Sequence, residues 1–237
     1  MKQIFTCLFL VVGFISLNAQ EVISEGHLTM ELSEVSADDP AVEQQMQMMK
    51  GMELNVHFND SGSLTTMDMM GGMIKSTSLY SNDGSGKLLM DMMGNKMYIP
   101  ITKAEAEKAA EAGSEMWDNV DITYDKSDTK KIQGVECYKM MLKPKEASEG
   151  GMQMSAYITE KIKANANIMQ IDTKKFDGFP MELSIGAAGG TMTFTTTKLD
   201  KSVDDSLFNL DTKGYKEMTF DEFMEMMGSM GGGGFGF

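Results

Sequence analysis

Residues 52–70 read MELNVHFNDSGSLTTMDMM, and their pattern predicts how the surrounding strands pair. Apolar and polar residues alternate up to the turn at residues 59–62, and a second alternating run begins at residue 63. Alternation with a period of two predicts strands with one apolar face, and an Asn-Asp-Ser-Gly turn joins such strands as an antiparallel hairpin. Further glycine-containing turns precede strands predicted at residues 73–80, 87–93 and 97–101. We therefore predict a meander.

The same alternation predicts strands outside this meander. An earlier strand is expected around residues 28–32, and later strands around residues 120–124, 131–142, 152–158, 179–185 and 191–199. Residues 125–128 are polar and are predicted to form a turn between two of these strands.

Two capping boxes, Thr102–Glu105 and Thr219–Glu222, predict helix starts. We expect the first helix to end at Gly113, and a third, short helix to begin at Pro40. In the last helix, the spacing of Phe220, Phe223, Met224 and Met227 predicts one apolar face. The predicted fold class is α+β, a curved antiparallel sheet or incomplete β-barrel of about 10–11 strands with two or three covering helices.

The composition excludes several classes of function. The 237-residue chain has 21 basic and 35 acidic residues, and every basic residue is a lysine. A net charge of −14 without arginine repels phosphate and offers no bidentate guanidinium, so we expect no nucleic-acid partner. His27 and His57 lie opposite apolar strand faces and are predicted to be solvent-exposed. We identify no set of acid, base and nucleophile, and predict a protein that is not an enzyme and has no cofactor.

Residues 1–19 are typical of a cleavable signal peptide, with Lys2 before an apolar run and Ala19 at the cleavage point. Cys7 lies inside that run, so no lipobox is present, and we expect a periplasmic or secreted protein. Residues 20–227 are predicted to form a single domain and residues 228–237 a flexible glycine-rich tail. No later apolar run is long enough to span a membrane, so we do not expect an integral membrane protein. Cys137 is expected to be buried as a small hydrophobic residue.

Methionine accounts for 27 of the 237 residues, many of them in clusters at residues 46–52, 67–73, 90–97 and 224–230. Thioethers are soft ligands, and this spacing could place several sulfurs around Cu(I) or Ag(I). The residues of this alternative metal site are Met46, Met49, Met67, Met69, Met90 and Met92. One ligand geometry would then have to recur on both strands and helices, whose side-chain periods differ.

The interpretation that we favour is that methionine, which is flexible and polarizable, lines an adaptable apolar surface. The protein would then be an exported binding or carrier-like protein that holds a lipid, an acyl chain or another apolar small molecule in a methionine-rich cavity. The residues predicted to line this cavity are Met69, Met92, Trp117, Met154, Met181 and Phe194. A third alternative is a structural protein of the cell envelope, with a protein partner and no small ligand.

Several motifs carry a resemblance to a known family. Residues 132–139 read IQGVECYK, residues 179–183 read FPMEL, and residues 203–208 read VDDSLF ahead of GYKEM at residues 214–218. Together they resemble the domain of unknown function 4412 family of exported Bacteroidetes proteins, distantly related to the LolA/LolB-like lipoprotein-carrier superfamily. The resemblance covers nearly all of residues 21–220. It implies an incomplete antiparallel barrel, closed by helices over an apolar cavity.

Overall fold

The computed structural model describes residues 22–145, 153–168, 171–187 and 189–229. The predicted signal peptide and residues 230–237 of the predicted tail lie outside these ranges. The described strands are β1 (Gly26–Ala37), β2 (Glu53–Asn59), β3 (Gly62–Met69), β4 (Ile74–Ser81), β5 (Gly86–Met92), β6 (Asn95–Ile101), β7 (Val120–Ile132), β8 (Val135–Pro144), β9 (Gln153–Thr159), β10 (Asn167–Ile168), β11 (Ile171–Asp172), β12 (Phe179–Ala187), β13 (Gly190–Asp200) and β14 (Lys216–Glu217). The described α-helices are α1 (Pro40–Gln47), α2 (Lys103–Asp118) and α3 (Phe220–Ser229).

Twelve of these strands form one sheet, in the order β14-β6-β5-β4-β3-β2-β1-β13-β12-β9-β8-β7, while β10 and β11 form a separate hairpin. The order contains two runs of antiparallel neighbours, β1 to β6 and β7 to β9, with β12 and β13 between them. The pairing of β1 with β13 is the seam that joins the two parts into one sheet. At the opposite edge, β14 lies parallel to β6.

The turn between β2 and β3 shows how the sequence sets the pairing. The Asn59 side-chain oxygen accepts a hydrogen bond from the backbone N–H of Ser61 at 2.8 Å. Gly62 follows with a φ of +151°, and a Cβ atom there would lie 2.0 Å from the Tyr80 carbonyl oxygen. Only glycine fits so close to the next strand. The register is therefore fixed, and Leu54 lies opposite Met67.

The sheet has two chemically different faces. We call inner the face that carries Leu28, Met30 and Leu54, and outer the face that carries His27 and His57. Residues that are directly opposite on neighbouring strands lie on the same face, so the register extends both definitions across the sheet. The inner face holds the core, whereas the outer face carries the charged and polar side chains of the same strands.

The sheet is curved and unclosed. The connection from β6 to β7 contains the 16-residue helix α2 and a few flanking residues, so it can span at most about 37 Å. In a flat sheet these two strands would be separated by about 48 Å, because ten strand spacings lie between them. The chain can make this connection because the sheet bends.

Two hydrophobic clusters lie on the inner face. The larger one joins β1, β2 and β3 to β7, β8, β9, β12 and β13, and it includes Ile168 and Ile171 of the β10–β11 hairpin together with Phe176. The smaller one contains Leu88, Met90 and Ile99 of β5 and β6 together with Phe223 of α3. The hairpin and α3 therefore cover different parts of the same face.

The C-terminal segment wraps around the β6 edge. After β13 it follows the outer face, where the Asn59 amide donates a hydrogen bond to Asp205 at 2.7 Å. The Lys96 ammonium then lies 5.6 Å from the centre of the Tyr215 ring. Next, β14 pairs with β6, and α3 packs on the inner face.

The predicted curved antiparallel sheet with covering helices is confirmed, but the strand count of 10–11 was too low. The sequence did not predict strands β10, β11 and β14, because each has only two residues and therefore shows no alternation of apolar and polar residues. Helix α3 extends to Ser229, so the first two residues of the predicted tail are helical. Both predicted capping boxes are present, with the Thr102 and Thr219 hydroxyls accepting from the backbone N–H of Glu105 and Glu222.

Three local predictions were wrong. Helix α2 continues through Gly113 to Asp118, because a glycine costs a helix only about 1 kcal/mol relative to alanine. Residues 125–128 form a bulge inside β7, where the Asp125 carboxylate accepts from the backbone N–H of Ser127 at 2.9 Å. In α3, Met226 joins the smaller cluster with Phe220 and Phe223, whereas Met224 is exposed.

Candidate functional site on the inner face

The inner-face positions of β1 to β6 carry no charged side chain, and the nearest charged strand position beyond them is Lys216 of β14, opposite Met97. The positions on β3 to β6 show this clearly. They are Ser63, Thr65, Met67, Met69, Ile74, Ser76, Ser78, Tyr80, Gly86, Leu88, Met90, Met92, Asn95, Met97, Ile99 and Ile101. The charged residues of these four strands lie on the outer face, where Asp68 pairs with Lys75 at 3.5 Å. The inner face is therefore suited to uncharged partners.

Methionines from two sequence clusters meet on this face. Met67 lies opposite Ser76, Ser76 lies opposite Met90, and Met90 lies opposite Met97. One residue pair further along, Met69 lies opposite Ile74, and Ile74 lies opposite Met92. We call these five methionines, Met67, Met69, Met90, Met92 and Met97, the methionine patch.

The patch lies between the two core clusters and is incompletely covered. Met69 and Met90 are buried, whereas Met67, Met92 and Met97 are half-buried. Its middle strand, β4, contributes the small side chain of Ser76 between Met67 and Met90. Because serine is much shorter than methionine, β4 contributes little side-chain volume at this position. The patch therefore combines flexible apolar side chains with one short polar side chain.

The structure brings together some of the residues predicted to line a cavity. Met69, Met154, Met181 and Phe194 belong to the larger core cluster, and Met92 packs against the smaller one. Met154, Met181 and Phe194 are packed in the half of the sheet away from the patch. The side chain of Trp117 lies outside the described part of the structure. That these residues line a ligand site stays a prediction.

The residues of the alternative metal site divide into two places. Met67, Met69, Met90 and Met92 lie in the methionine patch. Met46 lies on α1, which packs against β1 and β13, and its sulfur approaches Gly190 at the start of β13. Met49 follows α1 in a turn and is exposed. Only four of the six predicted sulfur ligands are therefore neighbours.

Sequence reasoning missed a group of hydroxyls beside the patch. Ser63 lies opposite Tyr80, and Thr65 lies opposite Ser78, all on the inner face. We call these four residues the hydroxyl cluster. The alternating pattern already places Ser63 and Thr65 on one face with Met67, and it places Ser78 with Tyr80. The register of β3 with β4 was needed to bring the two pairs together.

The β10–β11 hairpin lies near the hydroxyl cluster. Strand β10 contacts β3, and Asp172 at the end of β11 is close enough to Tyr80 to influence its phenol. Burial, and secondarily the negative charge of Asp172, raises the pKa of Tyr80 above its usual value. Tyr80 is therefore a neutral hydrogen-bonding group at physiological pH.

On the outer face, His27 and His57 stack instead of being solvent-exposed as predicted. Their ring centres are 4.2 Å apart with an angle of 6° between the planes, because the register places them directly opposite each other. The Asn55 side-chain oxygen is 3.1 Å from His27 Nε2 and accepts from the Thr29 hydroxyl at 2.7 Å. His57 Nδ1 is buried without a hydrogen-bond partner among the described residues.

We expect the His57→Phe substitution to reduce the loss of stability at acidic pH. Burial, and secondarily His27, lowers the pKa of His57 from 6.5 to about 4. Below pH 6.5 the unfolded chain therefore binds a proton that the folded protein takes up only near pH 4, so stability falls across this window. Because the ring is half-buried and solvent screens its charge, we expect this contribution to be about 1–2 kcal/mol between pH 6.5 and 4.5.

Urea unfolding at both pH values measures this difference. The control is Thr77→Val, on the same face but away from the histidines. Between pH 6.5 and 4.5 it should lose as much stability as the wild type does. Equal losses in the wild type and the His57→Phe variant would contradict the prediction.

Cys137 is buried, as predicted, and burial raises the pKa of its thiol to about 11. A polar pocket of about 300 Å³ lies beside it, lined by Lys126, Thr129, Glu136, Cys137, Tyr138, Thr159, Glu160 and Lys161. In this pocket the Glu160 carboxylate already accepts hydrogen bonds from Lys126 and Tyr138, each at 2.9 Å.

Two further observations concern metal ligands and membrane-spanning helices. Within the described ranges, no three His, Cys, Asp or Glu side chains are grouped in a way that could hold a metal ion. None of the described helices has the length and apolarity needed to cross a membrane.

Comparison with known proteins gives similar structures but no sequence family. No protein-family profile matches the chain, and no curated protein matches it. The lipoprotein LppX of Mycobacterium tuberculosis has a TM-score of 0.37 and 8% identity, over 77% of this chain and 89% of that chain. A putative outer membrane lipoprotein-sorting protein domain from Vibrio parahaemolyticus has a TM-score of 0.35 and 9% identity, over 81% and 92% of the two chains.

A LolA superfamily protein from Nitrosomonas europaea has a TM-score of 0.32 and 10% identity, over 80% of this chain and 93% of that chain. The superfamily that the sequence motifs resemble is thus present among the similar structures. Membership of the domain of unknown function 4412 family stays a prediction. At these TM-scores and identities we take no functional conclusion from the matches and argue function from the residues.

Proposed function

We propose that this is an exported binding or carrier-like protein that holds an apolar ligand, a lipid or an acyl chain, on the methionine patch. The observation that carries the proposal is the side-by-side placement of Met67, Met90 and Met97, with Met69 and Met92 beside them, on strands β3 to β6, whose inner-face positions carry no charge. Export rests on the signal peptide predicted for residues 1–19.

The chemistry of the patch supports an apolar chain better than a rigid polar molecule. Methionine side chains have three rotatable bonds and adapt to irregular apolar shapes. Each methylene that an acyl chain buries contributes about 0.8 kcal/mol, against the entropy lost on binding. The half-buried methionines provide surface for this contact, and the neighbouring clusters support them from both sides.

We expect paired polar substitutions in the patch to weaken binding of an acyl chain. In the double variant Met67→Gln and Met92→Gln, two amides must be desolvated under the chain, so the affinity should fall about tenfold or more. The matched control carries Met67→Leu and Met92→Leu, which keep the apolar surface and should bind within about threefold of the wild type. A pyrene-labelled 16-carbon alcohol is the probe, titrated by fluorescence.

A second candidate function is binding of Cu(I) or Ag(I), and one observation favours it. Met67, Met90 and Met97 lie in one cross-strand row, so several soft ligands are within reach of one ion. The leucine control separates the two candidates, because leucine keeps the apolar surface but has no sulfur. If the leucine variant loses Cu(I) binding but still binds the acyl probe, the wild-type patch binds both Cu(I) and apolar chains. If the wild type does not bind the probe, the carrier proposal is wrong.

A further inference from the structure

The inner face changes character along β3 and β4. The successive pairs are Ser63–Tyr80, Thr65–Ser78, Met67–Ser76 and Met69–Ile74. Pairs on one face follow each other at about 6.8 Å along a strand, so the change from hydroxyls to apolar side chains extends over about 20 Å. This gradient matches a molecule with a polar head and an apolar tail.

One member of the hydroxyl cluster points to a ligand independently of this gradient. The Ser63 residue is 0% exposed, and its hydroxyl has no hydrogen-bond partner within the described ranges. Buried hydroxyls in proteins are nearly always hydrogen-bonded, so an unpaired one is unusual. Its neighbour across the strand pair, Tyr80, is half-buried, as is Ser78. A head group can therefore approach the cluster from the side of Ser78 and Tyr80.

The charges around the cluster discriminate between head groups. The inner-face positions of β1 to β6 offer no lysine to neutralise a carboxylate or a phosphate, and Lys216 of β14 lies opposite Met97, three strand spacings from β4. The charged residue that influences Tyr80 is Asp172, which is negative. An anionic head placed here would lose its hydration without gaining an ion pair, whereas a hydroxyl, ester or amide can hydrogen-bond to the serines and the tyrosine.

We propose that the hydroxyl cluster receives the uncharged, hydrogen-bonding head of an amphiphile whose chain lies on the methionine patch. This inference rests on the proposed function and narrows its ligand class to neutral lipids such as acylglycerols. Free fatty acids and phosphate-bearing lipids are then poor ligands at physiological pH.

Competition against the pyrene-labelled alcohol tests the inference with two ligands of equal chain length. At pH 8, 1-monolauroylglycerol should bind about tenfold or more tightly than laurate, because only laurate brings a charge to the uncharged face. Equal affinities, or tighter binding of laurate, would overturn the inference but leave the proposed function intact. If the wild type binds neither these lipids nor the probe, both fail.

Two variants locate the head group. The double variant Ser63→Ala and Ser78→Ala should lower the affinity for 1-monolauroylglycerol about fivefold to tenfold. The contacts of the pyrene-labelled probe's tail with the methionine patch should be unchanged. Because the Ser63 hydroxyl has no hydrogen-bond partner in the part of the chain that the structure describes, its removal should not lower the melting temperature. Unchanged affinity of this folded variant for the acylglycerol would contradict the placement of the head.

The second variant, Ser76→Lys, adds a cation at a half-buried position of the inner face. Because Ser76 also lies under the tail, both ligands lose some contact, and the readout is the ratio of the two affinities. This ratio should shift about tenfold in favour of laurate, since the ammonium can pair with its carboxylate. An unchanged ratio would show that the head does not lie near this position.

Discussion

Replacing Phe194 with alanine is expected to lower the free energy of unfolding by about 3–5 kcal/mol. Phe194 is 1% exposed and lies opposite Leu32 of β1 on one side and Leu183 of β12 on the other. It therefore packs at the seam, where a single strand pair joins the two parts of the sheet. Truncation at this position leaves a cavity that the surrounding strands cannot close without breaking their register.

Urea unfolding followed by circular dichroism measures this loss. The control is Met93→Ala, which truncates a side chain that is 75% exposed in the turn between β5 and β6. We expect the control to change the free energy of unfolding by less than about 0.5 kcal/mol. Similar losses for the two variants would contradict the conclusion that packing of Phe194 at the seam makes a large contribution to the free energy of unfolding.

The meander was predictable because its information is local. Each strand from β2 to β6 alternates apolar and polar residues, and each turn contains glycine, so neighbours along the chain pair with one another. The same pattern correctly placed Met67 and Met69 on one face. Here a few consecutive residues determine both the strand and its orientation.

The seam was not predictable in the same way. The pairing of β1 with β13 joins residues 27–37 to residues 190–200, far apart in the chain, and two register shifts interrupt it. No local pattern specifies which of several antiparallel strands becomes the partner of β1. The two-residue strands β10 and β11 pack against the inner face. This tertiary contact has no signature in the alternation of apolar and polar residues.

The candidate site was predictable only in part, for a related reason. The sequence identified the methionine clusters, and the strand period correctly placed Met67 and Met69 on the same face. It did not indicate that Met90 and Met97 would lie in the same row as Met67, because that depends on two successive registers. Without those registers, Met46 and Met49 were equally good candidates, although α1 places them elsewhere.

The faces of the sheet also explain how an acidic protein can hold an uncharged site. The charged side chains of β2 to β6 lie on the outer face, and the inner-face positions of these strands carry none of the net charge of −14. Segregation of this kind follows from the strand period, since residues that alternate in sequence point to opposite faces. The hydroxyls of β3 and β4 are then the polar groups within reach of a ligand on that face.

The Phe223→Ala substitution is expected to release α3 from the sheet without unfolding the sheet itself. Phe223 is 1% exposed and packs with Leu88, Met90 and Ile99 in the smaller cluster. Loss of this side chain should cost about 3 kcal/mol of the packing that holds the helix. A detached helix of ten residues is marginal in water, so its backbone amides should exchange with solvent about 100-fold faster.

Hydrogen exchange followed by mass spectrometry distinguishes this local release from global unfolding. Peptides from α3 should exchange faster, whereas peptides from β1 and β13 should keep their wild-type rates. The matched control is Met224→Ala on the same helix, because Met224 is 44% exposed and its loss removes little packing. If exchange accelerates equally in α3 and β1, the helix is part of the main cooperative unit. If it accelerates in neither, the smaller cluster does not hold α3. Release of α3 alone would uncover Met90, Met92 and Met97, and would identify this helix as the removable cover of the methionine patch.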